Sequence, residues 1–252
     1  MQSVALLRQR PVERACYAIG AALIVAGLVH LLAAVAFPRP WDGPLSWRKA
    51  ITFGTSFGTV LITLTWVTSY LRMPDRRRAI LLSVFAVDCV VEVAGIIVQA
   101  WRHVPSHFNT VGPLNATIGF SLAAGGAVLV ATLGTFAVVA VRGSVDGDAP
   151  MRLALRAGFA LLLAGLASGI AMIVRGEQLL RSGSPGLAYA TAGYLKWVHA
   201  ITLHAVLVLP ALAWLLGRSR WSEARQRSAV IAAIGVYVVT ALVALAISIA
   251  RS

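Results

Sequence analysis

The chain has 252 residues, of which 59% are hydrophobic and only 12% are charged, and its mean hydropathy is +0.82. That composition excludes an ordinary soluble domain and is typical of an integral membrane protein. The net charge of +13 does not indicate a nucleic-acid partner, because the basic residues lie in short segments between apolar runs. In such segments, basic residues set the topology and contact the anionic headgroups of the lipid bilayer.

Seven apolar runs are long enough to cross a bilayer, which takes ~20 residues per helix. They lie at roughly 15–37, 47–71, 79–101, 115–141, 152–175, 196–217 and 227–250. The segment 176–194 is expected to be a long flexible loop that could form a cap, because it contains Ser-Gly-Ser-Pro-Gly. The sequence therefore predicts an all-α integral membrane protein, a seven-transmembrane helix bundle in one domain over residues 1–252.

Basic residues are distributed unevenly between the two ends of these runs. Fourteen of the 22 lysines and arginines, from Arg8 onward, lie at the N-terminus or after the second, fourth and sixth runs. The positive-inside rule then places the N-terminus in the cytoplasm and the C-terminus outside. Trp41, Trp47, Trp101 and Trp197 would mark the outer interface as an aromatic belt. We expect the membrane to be a bacterial cytoplasmic (inner) membrane.

The third run contains two acidic residues one helical turn apart, Asp88 and Glu92. Glu92 precedes Arg102 by ten residues, which places it about 15 Å deep at the rise of an α-helix. An ionised carboxylate at that depth is costly, so each acid should be protonated, paired or bound to a cation. Either a functional site or a structural bond between helices would meet that requirement.

Three histidines lie within the predicted spans and suggest a cofactor site. His30 and His204 fall at a depth comparable to that of Glu92, and together these three could hold a divalent metal. Two histidines from different helices could instead hold a haem iron. His199 is five residues from His204, so the two side chains point ~140° apart on an ideal helix. One of them would then bind the cofactor, and the other would support the residues that bind it. A buried histidine bonded to a carbonyl is the alternative.

Polar and basic residues gather at the predicted outer ends of the second, third and sixth runs. They are Arg48, Lys49, Gln99, Arg102, His107, Asn109 and Lys196. Together they could form a cationic mouth that binds a small anionic or lipid-like ligand. The alternative is that each basic side chain reaches separately to lipid phosphates.

The second run also contains a stripe of hydroxyl side chains below Arg48. They are Thr52, Thr55, Ser56, Thr59 and Thr63. Such a stripe could line a polar cavity or simply bond its own helix backbone, and Gly54 with Gly58 supplies a GxxxG packing surface in the same run.

These observations favour an outward-opening polar pocket that binds a metal, haem or a small anionic ligand. It could serve an enzyme that acts on a lipid, with Glu92 and Arg102 as catalytic residues. One alternative is a transporter or proton-coupled permease that uses Glu92 and Asp88. Another is a non-catalytic accessory subunit. No P-loop, GxSxG or cysteine-rich metal motif occurs, and the last run has no lysine for a retinal Schiff base.

Overall fold

The computed structural model describes residues 10–109 and 111–251, so Arg8 lies outside the described residues. Within those ranges the chain is helical apart from turns, loops and an isolated antiparallel bridge between Leu71 and Val145. The helices are α1 (Pro11–Ala36), α2 (Arg48–Val67), α3 (Asp75–Trp101), α4 (Pro113–Arg142), α5 (Ala149–Arg181), α6 (Pro185–Thr191), α7 (Lys196–Leu216) and α8 (Glu223–Ala250).

Seven helical segments in the described ranges are long and apolar enough to cross a membrane, with α6 and α7 contributing to one of them. Their number and approximate positions agree with the seven predicted spans. They support an integral membrane protein by length and composition, while the orientation stays a prediction.

The prediction of a loop over residues 176–194 is wrong for most of that segment. α5 continues to Arg181, because the chain from Glu177 to Arg181 contains only good helix formers. The helix then ends in a Schellman motif, with Gly183 at a φ of +77° and Ser184 N–H donating to Leu179 O at 3.0 Å. α6 begins almost at once, with Pro185 in its first turn.

The chain divides into two compact units, residues 1–66 with 73–132, and residues 67–72 with 133–252. In the first unit, glycines bring α1 and α2 into close contact. A Cβ at Gly54 would lie 2.7 Å from Gly27 Cα, and Gly58 packs against the carbonyl of Gly20. The GxxxG pair of α2 therefore packs on a matching glycine pair of α1.

The same unit contains an ion pair between the N-terminal portions of α1 and α3. Glu13 Oε1 pairs with Arg78 Nη2, and only 14% and 10% of the two side chains are exposed. A second pair nearby, Arg10 with Asp75 at 2.5 Å, is far more exposed, at 45% and 73%. The buried pair joins two helices through charges that are shielded from water.

In the second unit, α5 packs along α7 through two glycines. A Cβ at Gly158 would lie 3.0 Å from Ala205 O, and one at Gly165 would lie 2.9 Å from Thr202 Oγ1. These close approaches leave no room for larger side chains on α5 and fix the two helices face to face.

Trp47 does not belong to an exposed aromatic belt. It is 2% exposed and packs with Ala50, Ile51 and Ala100 in a core of the first unit. Its indole Nε1–H donates to Phe37 O at 2.9 Å, which satisfies the only polar atom of the side chain. Trp101, by contrast, is 49% exposed.

Candidate functional site

Asp88 and Glu92 lie side by side on α3 and face one glycine of α4. A Cβ placed on Gly125 would lie 2.5 Å from Glu92 Oε1 and 2.7 Å from Asp88 Oδ1. Both oxygens are therefore within 2.7 Å of one point on the surface of α4. A larger residue at Gly125 would force the two carboxyl groups to shift.

The pair is buried near the middle of its helix. Asp88 is 6% and Glu92 is 4% exposed, and Asp88 is equally distant in sequence from both ends of α3 (Asp75–Trp101). Asp88 Oδ2 is fully buried and has no hydrogen-bond partner among the described residues. Within those residues neither carboxyl group forms an ion pair with a lysine, arginine or histidine. Two adjacent acids without a countercharge require a proton or a cation between them.

His30 is engaged at both ring nitrogens. Nδ1 lies 2.6 Å from Ala26 O, and Trp101 Nε1 donates to Nε2 at 3.1 Å. A carbonyl only accepts and an indole N–H only donates, so the ring is neutral with its proton on Nδ1. The lone pair that would bind a metal is already used by Trp101.

The two histidines of α7 point in different directions, as their five-residue spacing predicts. His199 Nδ1 donates to Gly165 O at 2.8 Å, and its ring packs on Gly169. His204 is exposed, and its Nδ1 donates to Ala200 O of its own helix at 2.5 Å. Both follow the alternative interpretation, in which a histidine bonds a carbonyl.

The predicted metal or haem site therefore has no support. Across residues 10–109 and 111–251, no group of three or more His, Cys, Asp or Glu side chains is placed to hold a metal ion.

Arg102 is bound to two amide side chains beside it. Its Nη1 lies 2.6 Å from both Gln99 Oε1 and Asn115 Oδ1, and Gln99 Nε2 donates to Asn115 Oδ1 at 3.2 Å. Gln99 is fully buried, so this network ties the end of α3 to the start of α4. These contacts give Arg102 a role in joining the two helices, while its catalytic role stays a prediction.

Lys49, Ser106 and His107 form a second chain of polar groups. Lys49 Nζ lies 3.5 Å from Ser106 Oγ, which lies 2.9 Å from His107 Nδ1. Burial, together with the charge of Lys49, lowers the pKa of His107 to about 3. Asn109 is also buried and accepts a hydrogen bond from Val111 N–H at 3.2 Å, which shapes the loop before α4.

The remaining predicted ligand-binding bases have their own partners. Arg48 pairs with Asp42 at 3.5 Å and donates to Trp41 O at 3.2 Å. Lys196, in the second unit, lies 5.8 Å from the centre of the Trp197 ring. Arg48 and Arg102 bond different protein groups, and their convergence on one anion stays a prediction.

Four of the five hydroxyl side chains in the stripe of α2, all of them threonines, bond their own backbone. Thr52, Thr55, Thr59 and Thr63 each donate to the carbonyl four residues earlier, at 2.7 to 2.8 Å. Their donors are used inside the helix, which is how threonine is accommodated in membrane helices. This favours the packing interpretation over a polar cavity wall.

Two contributors were missed by sequence reasoning: Gly125 and Asn115. Gly125 is one of several glycines in α4, and nothing local marks it as the one that faces two acids. Asn115 follows a proline at the start of the fourth run, where a polar residue is ordinary. No known protein family, curated protein or solved structure matches the chain, so the candidate site rests on its own geometry.

Proposed function

We propose that this protein is a proton-coupled membrane transporter in which Asp88 and Glu92 bind the proton. One observation carries the proposal: the two carboxyl groups face Gly125 at mid-helix, and Asp88 Oδ2 is buried without a hydrogen-bond partner in the part of the chain that the structure describes. Intramembrane acids in that setting are characteristic of proton relays in pumps and transporters.

A proton fits this pair better than the other ligands considered. It needs only one acceptor oxygen, which Asp88 supplies, and it relieves the repulsion between the two adjacent carboxylates. The histidine that would serve a metal or a haem is already bonded, because Nε2 of His30 accepts from Trp101.

The bare backbone at Gly125 also suits a site that must open. Gly125 contributes no side chain there, so no side chain of that residue separates the two acids from the backbone of α4. Alternating access in transporters needs such a movable contact beside the ion site. From the arginine asymmetry we further infer a cytoplasmic N-terminus in a bacterial inner membrane.

The first test is whether the pair holds a titrating proton. Infrared difference spectra of the purified protein between high and low pH should contain a protonated-carboxyl band that is lost in Asp88→Asn or Glu92→Gln. Glu177→Gln on α5 is the matched control and should retain the band. A spectrum unchanged by both α3 substitutions would remove the proton site.

The second test separates transport from a structural role. Proteoliposomes that enclose a pH-sensitive dye receive a pool of amino acids, sugars and organic acids under an imposed pH gradient. We expect solute-dependent proton movement in the wild type and in Glu177→Gln, and none in Glu92→Gln. A titrating pair without any proton movement would contradict transport and favour an accessory subunit.

A further inference from the structure

A groove of about 610 Å³ lies beside the C-terminal ends of α1 and α3, at the predicted outer side of the first unit. Its lining residues are Ala36, Phe37, Pro38, Arg39, Pro40, Leu45, Trp101 and His103. The wall is mostly apolar, and Arg39 is the basic residue of this set. The volume is in the range of sites that bind small organic groups.

Arg39 is held in place by backbone and aromatic contacts. Its Nη1 donates to Ala100 O at 2.9 Å and to Leu45 O at 3.4 Å, and its guanidinium carbon lies 4.0 Å from the centre of the Trp47 ring. Its Nη2 donates to His103 Nε2 at 2.9 Å. The guanidinium is therefore preorganised at the groove, by stacking as well as by hydrogen bonds.

Among the described residues, the positive charge of Arg39 has no acidic partner. In residues 10–109 and 111–251 no carboxylate lies within ion-pair distance of it, in contrast to Arg48 with Asp42. Its three hydrogen bonds leave two of the five N–H donors of a guanidinium for another acceptor. A fixed, uncompensated guanidinium beside an apolar wall is complementary to an anion that carries an apolar tail.

The backbone conformation of His103 also supports an anion-binding role for the groove. It follows the end of α3 in a Schellman turn, with a φ of +59° and Val104 N–H donating to Gln99 O at 3.2 Å. Glycine is the favoured residue at that position, because a Cβ costs energy there. A histidine is present instead, and its side chain accepts from Arg39. An outlier of this kind points to a role for the side chain.

The apolar wall continues along an exposed face of α1. Leu28, Leu32 and Val35 recur at helical spacing and are 48%, 70% and 79% exposed. The face leads from the middle of α1 to Phe37 and the groove. A chain bound there would be covered by apolar side chains while its head met Arg39.

We propose that this groove binds an anionic phospholipid, with the headgroup phosphate on Arg39 and an acyl chain along α1. Phosphatidylglycerol is the probe. Its phosphate accepts the free guanidinium donors, and its net negative charge supplies the missing countercharge. The site is independent of Asp88 and Glu92.

The experiment is a lipid titration of the purified protein in detergent, read by native mass spectrometry. The wild type should bind one phosphatidylglycerol with at least about tenfold higher affinity than Arg39→Gln, as expected for the loss of a charge-assisted contact. Arg39→Lys should fall between them, because it keeps the charge and loses the planar fork. Arg175→Gln is the matched control, since Arg175 also stacks on an aromatic ring, that of Tyr194 at 4.7 Å.

Two further measurements identify the source of the bound phosphate group and the lipid selectivity of the groove. Phosphatidylcholine should bind the wild type more weakly, and inorganic phosphate should not displace the bound lipid. Equal affinity of the wild type and Arg39→Lys for phosphatidylglycerol, or equal losses in Arg39→Gln and Arg175→Gln, would overturn the proposal. Displacement by inorganic phosphate would make the site a free-anion site. Size-exclusion profiles establish that each variant is folded.

Discussion

Trp101 donates its indole N–H to Nε2 of His30, across from α3 to α1, at 3.1 Å. The other nitrogen of His30 bonds Ala26 O, so the imidazole is a connector between two polar groups inside an apolar cluster with Trp47. A residue that resembles a metal ligand in the sequence is thus a packing residue in the fold.

His30→Ala should destabilise the protein by about 1–3 kcal/mol, because it leaves the Trp101 N–H without an acceptor and opens a space in the cluster. The measurement is reversible unfolding in detergent. His204→Ala is the control, since His204 is exposed and bonds only its own helix, and it should change stability by less than about 0.5 kcal/mol. Stoichiometric metal in the wild type that is lost in His30→Ala would contradict this assignment.

Gly125→Ala should destabilise the protein by about 1–3 kcal/mol, because the methyl group would meet the carboxyl oxygens of Glu92 and Asp88. Gly134→Ala on the same helix has open space around it and should be neutral or stabilising by up to about 1 kcal/mol. Thermal unfolding of both variants gives the comparison.

The double variant Gly125→Ala with Glu92→Ala tests the contact itself. Removal of the glutamate side chain makes room for the methyl group, so the two effects should be non-additive by more than about 0.5 kcal/mol. Additive losses would mean that Gly125 matters for another reason.

Glu13→Gln should cost about 3–5 kcal/mol, because it leaves the guanidinium of Arg78 without its buried countercharge. Asp75→Asn removes the exposed partner of Arg10 and should cost no more than about 1 kcal/mol. Chemical unfolding in detergent distinguishes the two. Similar small losses in both variants would mean that water reaches the Glu13–Arg78 pair.

His107 makes stability depend on pH in a defined direction. Its pKa is about 3 in the folded protein and near 6.5 in the unfolded chain, so above pH ~6.5 it is neutral in both states. As pH falls from ~6.5 towards 3, only the unfolded chain takes up the proton, and stability decreases by up to about 1.4 kcal/mol per pH unit. His107→Gln should lose this component. Parallel stability curves for the wild type and His107→Gln between pH 6 and 4 would contradict it.

Cysteines introduced at Asp146 and Ser184 should react with membrane-impermeant reagents from opposite sides, with Ser184 outside. Asp146 lies in the turn between α4 and α5, and Ser184 lies between α5 and α6. The native Cys16 and Cys89 are buried and should give little background. Labelling of both positions from the same side would contradict the orientation that we infer from the arginine asymmetry.

The sequence correctly indicated that the two acids lie inside a helix, but it suggested a ligand role for the histidines that their contacts do not support. Carboxylates in an apolar run are conspicuous because their cost depends on depth, which can be counted along the chain. The state of His30 depends on whether Trp101 reaches it from another helix, which no local pattern encodes. In the sequence, the threonines of α2 fit both interpretations. In the structure, their hydroxyl groups donate to carbonyls of their own helix.

The order of apolar and polar residues is enough to predict seven helices long enough to span a membrane, with Asp88 and Glu92 inside one of them. Hydropathy and helical spacing are local properties, so they can be read along the chain. Three further features depend on the folded protein: both acids face Gly125, the two nitrogens of His30 are bonded, and Arg39 has no countercharge among the described residues. Those outcomes depend on the rotation and contact of helices distant in sequence, which is set by the packing of the whole fold.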